Sequence, residues 1–129
     1  MKANRGASSP KLVVVIDDDP LVLEATGGLL RSWGCLVVTA DSYSAALACL
    51  ADIKRRPDMI VCDYRLPAGE TGIDAIEGLR SAFEIPALLI TGDPGSPPSA
   101  GIGGYHLLHK PVNPSVFRSA LVDALVLQR

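Results

Sequence analysis

Five short apolar runs punctuate the chain, and between them apolar positions recur at a spacing close to the helical period. Runs such as Val13-Val14-Val15-Ile16, Met59-Ile60-Val61-Cys62 and Ala87-Leu88-Leu89-Ile90 are apolar at every position rather than at alternate ones. That is the pattern of strands covered on both faces. Strands are therefore expected near residues 11–16, 35–40, 58–62, 87–90 and 105–109, with helices between them. The fold class that follows is α/β, a doubly wound five-stranded parallel sheet.

The helix boundaries have their own signals. Asp19 is suited to cap a helix that starts at Pro20 and stops at Gly34, with Leu21, Val22, Ala25, Leu29 and Leu30 as its apolar face. Asp41 or Ser42 would cap a second helix, with Ala45, Ala46, Leu47, Cys49 and Leu50 turned inward. A third starts near Thr71 or Gly72 and carries Ile73, Ile76, Leu79 and Phe83. The last follows Asn113-Pro114 and carries Val116, Phe117, Leu121, Leu125 and Val126.

The alternation breaks once. Residues 92–104 contain three prolines and five glycines; proline removes a donor, and glycine costs about 1 kcal/mol per helical position. The helix that would fall between the fourth and fifth strands is expected to be short or absent. The Gly-x-Gly-Gly at 101–104 does not open a helix after a strand, so it is not read as a phosphate cradle.

Four of the apolar runs deliver a polar group at their carboxyl ends. The first closes on Asp17-Asp18-Asp19, the third on Asp63, the fourth on Thr91 and the fifth on Lys110, which Pro111 follows. In an open parallel sheet, ligands sit beyond the carboxyl ends of the strands, where the strand order reverses. These groups would therefore share one edge. Carboxylates so close repel one another, and a hard divalent cation such as Mg²⁺ relieves the repulsion through oxygen ligands. Beside such a cation a carboxylate is able to attack phosphorus, a lysine supplies compact positive charge to the phosphoryl oxygens, and a hydroxyl such as that of Thr91 hydrogen-bonds one of them.

Taken singly, each residue has a plainer role: Asp19 as a helix cap, Thr91 as turn chemistry before Gly92, Lys110 as a surface residue. The coincidence of all of them, in order and at strand ends, carries the functional reading. His106 and His109 have no matching ligand pair and are assigned to packing or surface.

Composition narrows the setting. At 129 residues with 48% apolar and 20% charged residues, the chain fits one domain. Residues 1–10 lack the apolar core of a secretory signal and are read as a flexible tail, leaving 11–129 as the domain. No apolar stretch approaches the roughly 18 residues of a membrane span. A net charge of −2, with Lys54-Arg55-Arg56 as the one basic run, leaves no footprint for nucleic acid. Cys35, Cys49 and Cys62 lack paired metal-ligand spacing and are expected to be reduced core cysteines of a cytoplasmic protein.

Four segments together are specific: Val14-Val15-Ile16-Asp17-Asp18-Asp19-Pro20, then Asp58-Met59-Ile60-Val61-Cys62-Asp63-Tyr64-Arg65-Leu66-Pro67, then Leu89-Ile90-Thr91-Gly92, then Lys110-Pro111. On them, residues 11–127 resemble the receiver domain of two-component response regulators. The resemblance implies a flavodoxin-like, CheY-like sheet and a phosphoacceptor that catalyses its own phosphorylation and dephosphorylation rather than a conventional enzyme. It implies Asp63 as the acceptor and Mg²⁺ held directly by Asp18, Asp63 and the backbone carbonyl of Arg65, with Asp17 acting mostly through water. It further implies Thr91 as the switch hydroxyl, Lys110 as the phosphate-facing lysine, a Lys110-Pro111 bond of the cis kind, and a phosphohistidine donor on a sensor histidine kinase or histidine phosphotransfer protein.

Details of the same segments, with Thr71-Gly72-Ile73-Asp74-Ala75-Ile76, look most like receivers attached to hybrid sensor kinases. Many receivers carry Tyr or Phe three positions before the lysine; here that residue is Leu107, so an aromatic rotamer switch is not expected. With the chain ending at Arg129, output is expected to pass through a partner or a parent protein.

Two rivals remain. A haloacid-dehalogenase-type phosphatase would use Asp17 and Asp19 as nucleophile and general acid, but would leave Asp63 unexplained. A receiver-fold interaction module without productive phosphorylation is the other, motivated by Leu107 and the interrupted helix pattern.

Overall fold

The computed structural model describes residues 10–66, 69, 71–92 and 105–127. Five strands, β1 (Leu12–Ile16), β2 (Leu36–Ala40), β3 (Met59–Asp63), β4 (Ala87–Thr91) and β5 (Tyr105–His109), form one sheet in the order β2-β1-β3-β4-β5. Every neighbouring pair is parallel. Four helices are present among the described residues: α1 (Pro20–Ser32), α2 (Tyr43–Ile53), α3 (Gly72–Ala82) and α4 (Pro114–Leu127). This is the expected doubly wound α/β fold. The expected tail falls largely on residues 1–9, and the expected helix interruption largely on 93–104; both stretches lie outside the described residues.

Strand edges shift by a residue for a visible reason. Asp58 stands before β3 rather than in it, because its carboxylate accepts the Leu12 amide at 2.8 Å. At the other end Asp63 and Thr91 are the last residues of their strands, since Asp63 pairs with Ile90 and Thr91 with His109.

The caps follow their chemistry. Asp19 accepts the Leu21 amide at 2.9 Å, and Ser42, rather than Asp41, accepts the Ala45 amide at 3.1 Å. Thr71 and Asp74 exchange side-chain and backbone bonds in a capping box. Asn113 accepts the Ser115 amide at 2.7 Å ahead of α4.

Strand parity divides the core. Val14, Ile16, Ile60, Cys62 and Leu89 point to one face and pack with Ala46 and Leu50 of α2 and Ala75, Ile76 and Leu79 of α3. Val13, Val15, Met59, Val61 and Leu88 point to the other, against Leu30 of α1 and Phe117, Leu121 and Ala124 of α4.

Three apolar residues expected in the core, Leu21, Ala25 and Val116, are outside it. Leu21 is 75% exposed and Val116 51% exposed. The inward stripe of α4 runs through 117, 121 and 124, which leaves Val116 about 100° to one side; Leu21 sits in the first turn of α1, beyond the sheet. Ala25 is likewise exposed, and the buried positions of α1 are Gly27 and Leu30.

The basic run Lys54-Arg55-Arg56 is tied into the fold. Arg55 donates to the Pro10 carbonyl at 2.6 Å and Arg56 to the Glu84 carbonyl at 3.0 Å. Cys62 is buried, Cys35 and Cys49 are half-buried, and all three are free thiols; burial pushes the Cys35 thiol up. No helix among the described residues is long and apolar enough to cross a membrane.

Two glycines of this frame should respond oppositely to the same change. Gly28 is exposed within α1 with open space where a Cβ would go, whereas Gly34 ends that helix at φ +90°. Gly28→Ala should raise unfolding free energy by about 0.5–1 kcal/mol, and Gly34→Ala should lower it. Denaturant titration of the two variants checks both signs.

Candidate functional site

The chain leaves β1 through α1 toward β2 on one side of the sheet order, and leaves β3 through α3 toward β4 on the other. Between these departures a crevice opens at the carboxyl ends, the switch point where ligands of open α/β sheets sit. Asp17 and Asp63 stand on its two sides.

Asp17 follows β1 directly and is 5% exposed. Its amide donates to the Ala40 carbonyl at 3.1 Å, and its Oδ1 accepts the Asp19 amide at 2.9 Å. Asp18 is exposed. Asp63, 8% exposed, ends β3. One carboxylate oxygen from each of these three residues lies within 4.8 Å of the other two. Asp19 is not in this group, because its carboxylate is committed to the start of α1.

Lys110 closes the crevice from the β5 side. Its Nζ lies 2.8 Å from Asp63 Oδ1, and its amide donates to the Thr91 carbonyl at 2.8 Å. The Lys110-Pro111 peptide is cis. Thr91, 2% exposed, ends β4, the strand beside Asp63. Arg65 lies two residues past Asp63 and is bridged to Thr71 across the start of α3. The expected residues thus gather at one edge of the sheet. His106 and His109 are exposed on β5.

The electrostatics register the crowding. Burial, opposed by the Asp19 amide and Lys110 and reinforced by the charges of Asp63 and Asp18, raises the Asp17 pKa to about 6. For Lys110, burial alone would lower the pKa. The hydrogen bond and charge of Asp63, helped by Asp17 and Asp18, outweigh it and hold the ammonium above its usual range.

Two features escaped the sequence reading. A cavity of about 600 Å³ runs from the acids between α1 and α4, with Val22, Ala25, Val61, Ile90, Val112 and Phe117 among its lining. Gly72 lies hard against the Asp63 carbonyl. The first is a gap between elements distant in sequence; the second carries no side chain to signal it.

Comparison with known proteins now decides the family. The response regulator receiver domain family matches the chain over residues 13–122. This chain belongs to the response regulator receiver domains.

The receiver is similar to the phyllosphere-induced regulator PhyR of Methylorubrum extorquens, with 27% identity over 91% of this chain and 44% of that protein. It also resembles TcrX of Mycobacterium tuberculosis, with 38% identity over 67% of this chain and 36% of that one. The receiver thus spans less than half the length of these relatives. Among solved structures, the PhyR receiver of Erythrobacter litoralis superposes with a TM-score of 0.83 at 30% identity, covering 96% of both chains. CheY4 of Vibrio cholerae gives 0.78 at 25% identity, over 90% of this chain and 99% of that one. The fold is accordingly CheY-like, and the family's setting is two-component signalling with histidine kinases or phosphotransfer proteins.

Asp17 makes the stability of the metal-free receiver pH-dependent. Its pKa is raised on folding, so the folded chain holds a proton that the unfolded chain has released. The associated stability is present near pH 4 and is lost as pH rises through about 6, an effect of up to about 3 kcal/mol. Asp17→Asn should flatten that decline and stabilise the metal-free chain at pH 7. Unfolding curves from pH 4 to 7.5 in EDTA give the answer, and an unchanged profile would contradict the assignment.

Proposed function

We propose that this receiver accepts a phosphoryl group on Asp63 from a phosphohistidine of a sensor kinase or phosphotransfer protein, in the presence of Mg²⁺. The observation that carries the reading is the meeting of three carboxylates within 4.8 Å with the Lys110 ammonium 2.8 Å from the Asp63 oxygen. An oxygen-only, net-negative cluster suits a hard divalent cation. Asp18, Asp63 and the Arg65 carbonyl would hold it, with Asp17 mostly through water. When bound, the cation would screen phosphoryl oxygens from the carboxylates and align donor with acceptor.

The chain's own residues account for the rest. A carboxylate oxygen of Asp63 attacks phosphorus as the P–N bond to the donor imidazole breaks, and the imidazole nitrogen keeps the electron pair and gains a proton. Lys110 moves from the Asp63 carboxylate to the phosphoryl oxygens, at little cost because the ammonium is already held at the site. The Thr91 hydroxyl, one strand away, hydrogen-bonds the added group and conveys the change to β4 and β5, biasing two pre-existing states. Leu107 is half-buried and packs with the α3-side core, so no aromatic rotamer enters this relay.

The phosphatase reading loses support at Asp19. It needs that residue as a general acid in the crevice, and the carboxylate instead caps α1.

Incubation with Mg²⁺ and acetyl phosphate should add the mass of one phosphoryl group, and Asp63→Asn should remove the gain. Absence of any gain in the wild-type chain would favour a non-phosphorylated interaction module. Lys110→Ala should slow incorporation by roughly 10²-fold. Thr91→Ala should still take up phosphate while blunting the accompanying shift in amide spectra; an undiminished shift would remove Thr91 from the relay.

A further inference from the structure

Gly72 is the first residue of α3 and is buried. Its φ lies outside the left-handed range, unlike those of Gly34 and Gly69, so its backbone conformation is open to any residue. What forbids a side chain is space. A Cβ at this position would overlap the Asp63 carbonyl oxygen and would stand 3.1 Å from the Asp63 carbonyl carbon and 2.6 Å from Leu89 Cδ1.

These neighbours differ in how far they can yield. The Leu89 methyl ends a flexible side chain. The Asp63 carbonyl belongs to a strand end pinned on its other side, where Asp63 pairs with Ile90 and the Tyr64 amide donates to the Ile90 carbonyl at 2.8 Å. The start of α3 is fixed as well: the Gly72 amide donates to the Tyr64 carbonyl at 2.7 Å, Thr71 bridges Arg65, and the Thr71–Asp74 capping box sets the first turn. Tyr64 and Arg65, just past Asp63, are therefore joined directly to Thr71 and Gly72 at the start of α3.

We infer that Gly72 is a positioning residue for phosphoryl transfer: by bringing the start of α3 against the Asp63 carbonyl, it sets the placement of the Asp63 carboxylate and of the Arg65 carbonyl together. The inference rests on the reading of Asp63 as acceptor. An added methyl falls about 1 Å short of ordinary contact with the Asp63 carbonyl. A displacement of that size between reacting groups is able to cost about 10²-fold in rate.

Gly78 supplies the control. A Cβ there would meet the Tyr43 ring at 2.7 Å, a close approach to a side chain rather than to backbone, six residues along α3, between α2 and α3 and away from the acids. Leu89→Val supplies the second, because it removes the yielding neighbour of Gly72 and leaves the backbone one in place.

The test compares the wild type, Gly72→Ala, Gly78→Ala, Leu89→Val and the double Gly72→Ala/Leu89→Val. It reads the rate of phosphorylation by acetyl phosphate per folded molecule, and Mg²⁺ affinity by calorimetry. The inference expects Gly78→Ala and Leu89→Val to stay within about twofold of wild type in both. Gly72→Ala should lose roughly 100-fold in rate and weaken Mg²⁺ binding, and Leu89→Val should not rescue it.

A wild-type rate in Gly72→Ala, or recovery in the double variant, would overturn the inference and leave Gly72 as mere room for Leu89. If Gly72→Ala alone fails to fold, the double variant, relieved of the side-chain clash, carries the comparison. If the wild type takes up no phosphoryl group, the acceptor reading fails separately, and the Mg²⁺ affinities still decide whether Gly72 sets the site.

Discussion

Like charges held together against their repulsion are the constraint on which this structure turns. Asp17, Asp18 and Asp63 bring carboxylate oxygens within 4.8 Å of one another, two of the three residues are buried, and one lysine offsets them. Left to themselves such groups would separate or take up protons; burial first, and the charges of Asp63 and Asp18 after it, raise the Asp17 pKa to about 6. They stay together because each follows or ends a strand that has no freedom to move. β1 and β3 are buried at every position and paired along their length. The hydrophobic core meets the electrostatic cost, and the site keeps the tension that a cation would relieve.

The surroundings serve that placement. Asp19 spends its carboxylate on the α1 amides and lends its own amide to Asp17, so the third acid of the run orients the first. The Lys110 amide is tied to the Thr91 carbonyl, and this joins the two residues in one backbone unit at the end of β4 and β5. On the far side of Asp63 the start of α3 is drawn in by Gly72. Asp63, Lys110 and Thr91 are thus positioned from three directions by backbone contacts, which change little when side chains and ligands exchange.

Much of this was legible in the sequence because buried parallel strands write themselves as unbroken apolar runs, and the polar residue that ends each run names the sheet edge. The Asp63, Thr91 and Lys110 placements followed directly, as did the caps at Asp19 and Asn113-Pro114. Ser42 and Asp41 were equal candidates until the Ala45 amide chose between them. Leu21 and Val116 read as core because apolarity at helical spacing does not say where a helix overhangs the sheet. The cleft between α1 and α4 lay beyond the sequence because it arises between elements far apart in the chain, and the crowding at Gly72 because glycine carries no side chain to signal it.

The claim at the centre is that these carboxylates are arranged for a divalent cation, and thermal unfolding with added Mg²⁺ tests it most directly. The account predicts that millimolar MgCl₂ at pH 7.5 raises Tm progressively, as a ligand specific for the folded state must. NaCl at equal ionic strength should not reproduce the rise, and Asp18→Ala should abolish it. Equal effects of the two salts, or a rise that survives in Asp18→Ala, would contradict the account.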